Sequence, residues 1–399
     1  MPNETISSIR KTPDNLTVLT NLGLLADLAG TWEGKGFNLI ARPDFAGKSP
    51  GPPPCVPNLY LELNQTSETL EITPIGSSIP NRGFGQGDIE LFGLTYLQKI
   101  SDSVTGGALH IEPGIWVTQP ATTYPPEAAP DPKAQIIARM GNIPHGNSML
   151  AQGVASSFSG PPTLSPGATL VGGGSPAFSV FPSFNSTPFK IPTPPAVPIL
   201  NAAGSSEKLT ASKIPGAKPF GSYDITVTDC CNSPRTPCPA SSPALPTSIN
   251  GVLMQDVIND PIKLLQTVIS HQVADGCSFQ GTVLNIATQA TITFFQNPNS
   301  APTDPTVTVK TNGAGGIENI LFLEGGEPVG NVGPNADTAL VYATFWIEKV
   351  TPKGGGPSFV QLQYAQMVIL NFAILAALPT VITLGWPHIT VATLTKPFA

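Results

Sequence analysis

The chain is poor in charge. Only 11% of its 399 residues are Asp, Glu, Lys or Arg, against a usual share of roughly a quarter, so long salt-bridged helical faces are scarce. Its 19 Lys and Arg are scattered and the net charge is −7. No basic stripe is left to neutralise a phosphate backbone, which excludes nucleic acid as a partner. The first residues, MPNETISSIRKTPDNL, lack the apolar core of an export signal, and cytoplasmic residence is the expectation. H-E-x-x-H pairs, phosphate-binding loops and dinucleotide fingerprints are missing too. The five cysteines, Cys55, Cys230, Cys231, Cys238 and Cys277, show no C-x-x-C or zinc spacing and read as structural thiols. CCNSPRTPC would close a small disulfide loop only in an oxidising compartment.

What is abundant is proline and glycine, 45 and 39 residues, a strand-and-loop composition. Phe, Ile, Val and Leu remain plentiful enough for a sizeable core. One stretch imitates a membrane span, AQMVILNFAILAALPTVITL at 365–384. Asn371, Pro379 and the lack of a basic flank make it a strand, a turn and the start of another strand, so no membrane partner is expected.

TNLGLLADLAG spaces Leu22, Leu25 and Leu28 as a short helix, ended by Gly30. Period-two alternation follows in LYLELNQTSETLEITPIG, DIELFGLTYLQKISD and ALHIEPGIWVTQ, with SVTGG as a hairpin turn. AQIIARMGNIPHGNSMLAQGVASSF adds two strands around a Pro-His-Gly corner. At about 160–250 the pattern gives way to proline-rich excursions, with PAFSVFPSF and GSYDITVTD as short strands. DPIKLLQTVISHQVADG has helix-like ends, but Thr267, Val268 and Ile269 tilt it to a strand. Strands return in QGTVLNIATQATITFF, TVTVKTN, GIENILFLEGG, TALVYATFWIEKV, SFVQLQYAQMVIL and HITVATLTK. The expectation is an all-β protein: an antiparallel lipocalin-like barrel of about ten strands with long proline-rich loop insertions, closed so that no edge is bare. Residues 1–21 form a tail and 22–399 a single barrel domain.

LAGTWEGKG, with Trp32 among Gly30, Gly34 and Gly36, resembles the opening strand of lipocalin-like barrels, whose tryptophan plugs the floor. GTWEGKG, then LHIEPGIW, then a histidine on the last strand, His388 in LGWPHITVATL, together resemble the nitrobindin family, heme-binding members of the fatty-acid-binding-like barrels. FNLIARPDF, IPHGNSMLAQG, ATFWIEKV, VQLQYAQMVIL and WPHITVATL are similar to a longer bacterial group described as heme-binding. The likeness spans roughly residues 20–160 and 335–396, and the proline-rich middle has no counterpart in ordinary nitrobindins.

That resemblance implies a b-type heme with iron held by His388. Neutral imidazole is a good iron donor and leaves the sixth position open. Trp386 and Pro387 would stiffen its approach, and Ile389, Val391 and Leu394 would supply apolar walls or neighbouring core. The bland alternative puts His388 at an exposed rim. His110 would face the cavity from the far side, with Glu112 two residues on to orient it or as a surface partner. His145 would overhang the mouth or lie exposed in its turn, while His271 faces solvent. Arg139 or Arg42 could assist His110 or His145 in activating peroxide, though Arg139 also suits an outward strand position and Arg42 a turn. Glu68 and Glu71 read as a solvated face. The implied activities are peroxidase-like chemistry, nitric oxide binding and peroxynitrite isomerisation. A heme-free carrier of an apolar small molecule and an interaction protein working through its proline-rich excursions are the alternatives.

Overall fold

The computed structural model describes residues 15–43, 59–82, 87–118, 134–143, 145–164, 170–172, 175–176, 189–190, 246–288, 291–295, 306–310, 316–320, 336–377 and 380–397. Ten long strands close into an antiparallel barrel. They are β1 Gly30–Pro43, β2 Leu59–Pro74, β3 Ile89–Asp102, β4 Ala108–Thr118, β5 Ala134–Ile143, β6 Asn147–Ser159, β7 Ser278–Ala287, β8 Asp337–Thr351, β9 Phe359–Ala377 and β10 Thr380–Thr395. Each pairs with its neighbours in sequence, and β10 returns to β1 along Ile40↔His388 to Glu33↔Thr395. The expected meander is thus closed by the two ends of the chain. The apolar stretch at 365–384 is the β9–β10 hairpin, and no helix among the described residues is long and apolar enough to cross a membrane.

The floor is built from the residues that open the chain. Helix α1, Asn15–Leu22, runs into a 3-10 turn at Gly23–Leu28. Leu22, Leu25 and Leu28 are buried with Trp32. The Trp32 indole donates to Leu28 O at 2.7 Å, satisfying a carbonyl that the ending turn leaves open. Gln135 on β5 holds the turn by accepting from Leu24 N and donating to Leu22 O. From the last strand's end, Lys396 donates to Ala29 O at 2.7 Å and lies over the Trp32 ring.

Between β6 and β7 come α2, Met254–Asn259, and α3, Lys263–Ala274. The strand expected at 260–276 is therefore a helix. Leu264, Leu265 and Ile269 share its buried face, and Thr267 donates to Lys263 O within the helix, so packing overrides the preference of its branched residues. These helices cover the outer wall. Val257, Ile258 and Leu265 join a core with Phe37 and Leu39 of β1, Trp346 of β8, Met367 of β9 and Ile389 and Val391 of β10. Thr306–Lys310, counted among the strands of the meander, belongs instead to a separate four-stranded sheet, and Gly316–Asn319 adds to β6. GSYDITVTD, nearly all of PAFSVFPSF and four of the five cysteines lie outside the described residues; Cys277 is half-buried and free.

Under α3 a carboxylate is sealed against the wall. Glu348 is 0% exposed; its Oε2 accepts from Gln361, which exchanges amide hydrogen bonds with Gln272 of α3. Burial pushes Glu348 up to about 8, only partly offset by the Gln361 bond. The raised value means that its contribution to stability is complete below the ordinary value of 4.5 and is lost as pH rises through about 8. Glu348→Gln is expected to raise the melting temperature at pH 8 and leave it nearly unchanged at pH 4. The gain corresponds to at least about 1 kcal/mol, since one pKa unit is worth about 1.4 kcal/mol.

Candidate functional site

Side chains of one parity point into the barrel, and register sorts them into layers. On β2, Thr66, Glu68, Leu70 and Ile72 are all buried. Glu68 is therefore an interior residue, correcting its reading as part of a solvated face; Glu71, of opposite parity, pairs with Lys99 outside at 3.1 Å. The Glu68 carboxylate accepts from Tyr364 at 2.5 Å and from Thr66 at 2.8 Å, and Gln98 donates to the Tyr364 hydroxyl. Burial raises its pKa, while the Tyr364, Thr66 and Gln98 bonds pull it back.

Beside it lies a second buried network. Arg139 is 2% exposed and faces inward, so its outward alternative fails: it shares parity with Ile137, which is fully buried. Its guanidinium donates to Glu112 at 2.7 Å, to the Tyr96 hydroxyl at 3.0 Å and to Gln366 at 2.9 Å. Tyr96 donates to the same Glu112 oxygen. Burial alone would raise the Glu112 carboxyl, but Arg139 and the bonds from His110 and Tyr96 outweigh it and hold Glu112 down to about 2. Room for these carboxylates comes from missing side chains. A Cβ at Gly141 would stand 2.4 Å from Glu112 Oε1, and one at Gly36 would stand 2.7 Å from Glu68 Oε1.

Above these networks opens a cavity of about 530 Å³, bordered by His388, His110 and His145. His388 is half-buried on β10, flanked in register by Ile40 of β1 and Val368 of β9. Its ring lies 6.2 Å from that of Phe372. His110 on β4 is set against the other oxygen of Glu112 at 3.3 Å, so the orienting role drawn from their two-residue spacing has its geometry. His145 is exposed in the β5–β6 turn with its ring 5.9 Å from that of His110. Partial burial and the neighbouring His110 lower its pKa.

The remaining candidates lie away from the cavity. Trp386 is fully buried and packs edge-on against Phe372, supporting the wall without bordering the cavity. Arg139 is below it, tied to Glu112. Arg42 sits near the end of β1 opposite Tyr60. Ile389 and Val391 point outward into the core under the helices, and Leu394 lies in the floor, so none of the three walls the cavity. His271 is exposed on α3, as expected. Polar side chains interrupt an otherwise mainly apolar lining. Asn38, Asn64, Gln98, Tyr364, Gln366 and Thr390 all border it, and register with Leu70 and His388 marks them as inward. Among the described residues no cluster of three or more His, Cys, Asp or Glu could hold a bare metal ion.

No family model matches the chain, and no curated protein matches it. Among solved structures, the crystal structure of Rv2717c from M. tuberculosis is similar over 95% of this chain and 98% of that chain, at 10% sequence identity and a TM-score of 0.30; at that score the likeness says nothing about function.

Proposed function

We propose that the chain binds a b-type heme through His388 and takes a nitrogen oxide such as nitric oxide on the open side. One observation carries the reading: three of the four histidines border one cavity, with His388 on β10 and His145 between β5 and β6, halfway round the ten-strand ring. The nitrobindin-like motifs fall on strands of the same barrel, GTWEGKG on β1, LHIEPGIW on β4 and His388 on β10.

The residues fit the group. His388 reaches the cavity from a paired strand, Ile40 and Val368 flank it, and Leu370 lies two residues along on the same wall. The volume lies within the range of small-molecule sites. No Lys or Arg is found on the described wall, where Glu62 is the acidic residue, so the propionates belong at the mouth, in water. Bound there, heme would supply an iron able to take up a small ligand. His110, held by Glu112, and His145 beside it are placed to hold or move a proton on the far side. Peroxide cleavage asks in addition for a cationic donor near the oxygen. Arg139 is committed to Glu112, Tyr96 and Gln366 below the cavity, so nitrogen-oxide binding or isomerisation of peroxynitrite is favoured over a peroxidase.

Protein expressed with ample heme is expected to show a Soret band, and His388→Ala to abolish it or shift it strongly. His110→Ala should keep the colour. An unchanged band in His388→Ala refutes the ligand assignment. Protein that stays colourless after reconstitution with hemin refutes the heme reading and favours a heme-free carrier.

A further inference from the structure

Below His388 the cavity wall changes character. Asn64, Asn38, Thr390 and Gln366 stand side by side on β2, β1, β10 and β9 in one lateral register, and all four border the cavity. Asn38 is 6% exposed, yet its Oδ1 has no hydrogen-bond partner. Buried acceptors are almost always paired, and this unpaired one belongs to a residue that borders the cavity, so a turn of the Asn38 amide would present it to a guest's donor. The neighbouring Thr390 hydroxyl and Asn64 amide have hydrogens to offer in return. No Lys or Arg stands on the described wall, so a carboxylate head would lose its hydration without meeting a cation.

We propose that this polar belt is a binding site for an uncharged amphiphile with a hydroxyl head, the class of alkylphenols and alcohols. The hydroxyl donates to Asn38 Oδ1 and accepts from the belt, and the apolar tail lies against Ile40, Val368 and Leu370 toward the mouth. A hydroxyl suits the belt because it gives one hydrogen and takes others, whereas an ether only takes and a carboxylate brings a charge. The site uses no iron, but its apolar wall is the one proposed for the heme, so the two guests exclude each other.

Titration calorimetry of the heme-free full chain with 4-hexylphenol, its methyl ether 4-hexylanisole and 4-hexylbenzoate separates these cases. The phenol is expected to bind about 3- to 10-fold tighter than the ether, the usual worth of one hydrogen bond, and the benzoate weakest of the three. In Asn38→Leu the preference for phenol over ether should vanish, while the ligand-free melting temperature rises because the unpaired acceptor is gone. Benzoate binding as tightly as phenol, equal binding of phenol and ether by the parent, a preference that survives in Asn38→Leu, or no binding of either neutral ligand overturns the proposal. Because the tail and a heme would share Ile40, Val368 and Leu370, hemin uptake is scored on separate samples without phenol. A chain that takes hemin but shows no phenol preference overturns this proposal alone, and one that prefers phenol but takes no hemin refutes the heme reading alone.

Discussion

Arg139→Met is expected to destabilise the protein by about 3–5 kcal/mol at pH 7, the cost of removing one partner from a buried ion pair. The guanidinium is 2% exposed and Glu112 fully buried, joined at 2.7 Å. Methionine keeps much of the volume, so the loss comes from a carboxylate left in the barrel without its cation, not from a void. The pH dependence identifies the cause. In the parent, Glu112 is held at about 2 against an ordinary 4.5, so its stabilisation is full above pH 4.5 and is lost only as pH falls through about 2. In Arg139→Met the carboxyl rises and takes up a proton, so the gap between variant and parent should narrow from pH 7 to pH 4. Pairing Arg139→Met with Glu112→Gln should recover much of the loss. Urea unfolding at the two pH values measures both effects. A loss below about 1 kcal/mol at pH 7 would mean that Glu112 finds another donor.

The second large effect lies at the floor. Trp32→Ala should cost about 3–5 kcal/mol, as expected for truncating a fully buried aromatic. Three connections go with the ring: the indole bond to Leu28 O, the packing of Leu22 and Leu25 against it, and the Lys396 ammonium 4.5 Å from its centroid. Trp32→Phe separates packing from hydrogen bonding. It keeps an aromatic plug but leaves the Leu28 carbonyl without its donor, and should cost about 1–3 kcal/mol. Thermal unfolding of the two variants gives the order Ala below Phe below parent; equal losses would show that the bond to Leu28, not the plug, holds the floor.

The barrel was legible because β2, β3 and β4 have one wet face. Glu71, Thr95 and Lys99 are exposed between buried neighbours, and Ile111 is exposed between half-buried His110 and buried Glu112; that alternation is what a periodicity reading detects. In β8 and β9 the alternation fades because α2 and α3 bury the outer side as well. The described side chains of TALVYATFWIEKV and VQLQYAQMVIL are then covered almost throughout, polar Glu348, Gln361 and Gln363 included, so the segments are identifiable as strands but silent about which residues face in. The same covering hid α3, whose branched residues look strand-like until the wall they pack on is known. His388 and His110 were found from motifs. Asn38, Gln98, Tyr364 and Glu68 were passed over because polar residues on strands are ordinarily assigned to solvent, although parity with Leu70 would have turned Glu68 inward. Asn38 was harder, since its neighbours Phe37 and Leu39 are themselves buried, but in the outer core.

The lopsided jacket of α2 and α3 has a mechanical consequence. Among the described residues, staves β6 to β10 and β1 are clamped between two cores, whereas β2 to β4 have a core on one side and an exposed face on the other. Thermal breathing concentrates where fewer apolar contacts must be broken, so the barrel loosens along its unclad front. The clad back then keeps its shape while the staves in front part and reseal.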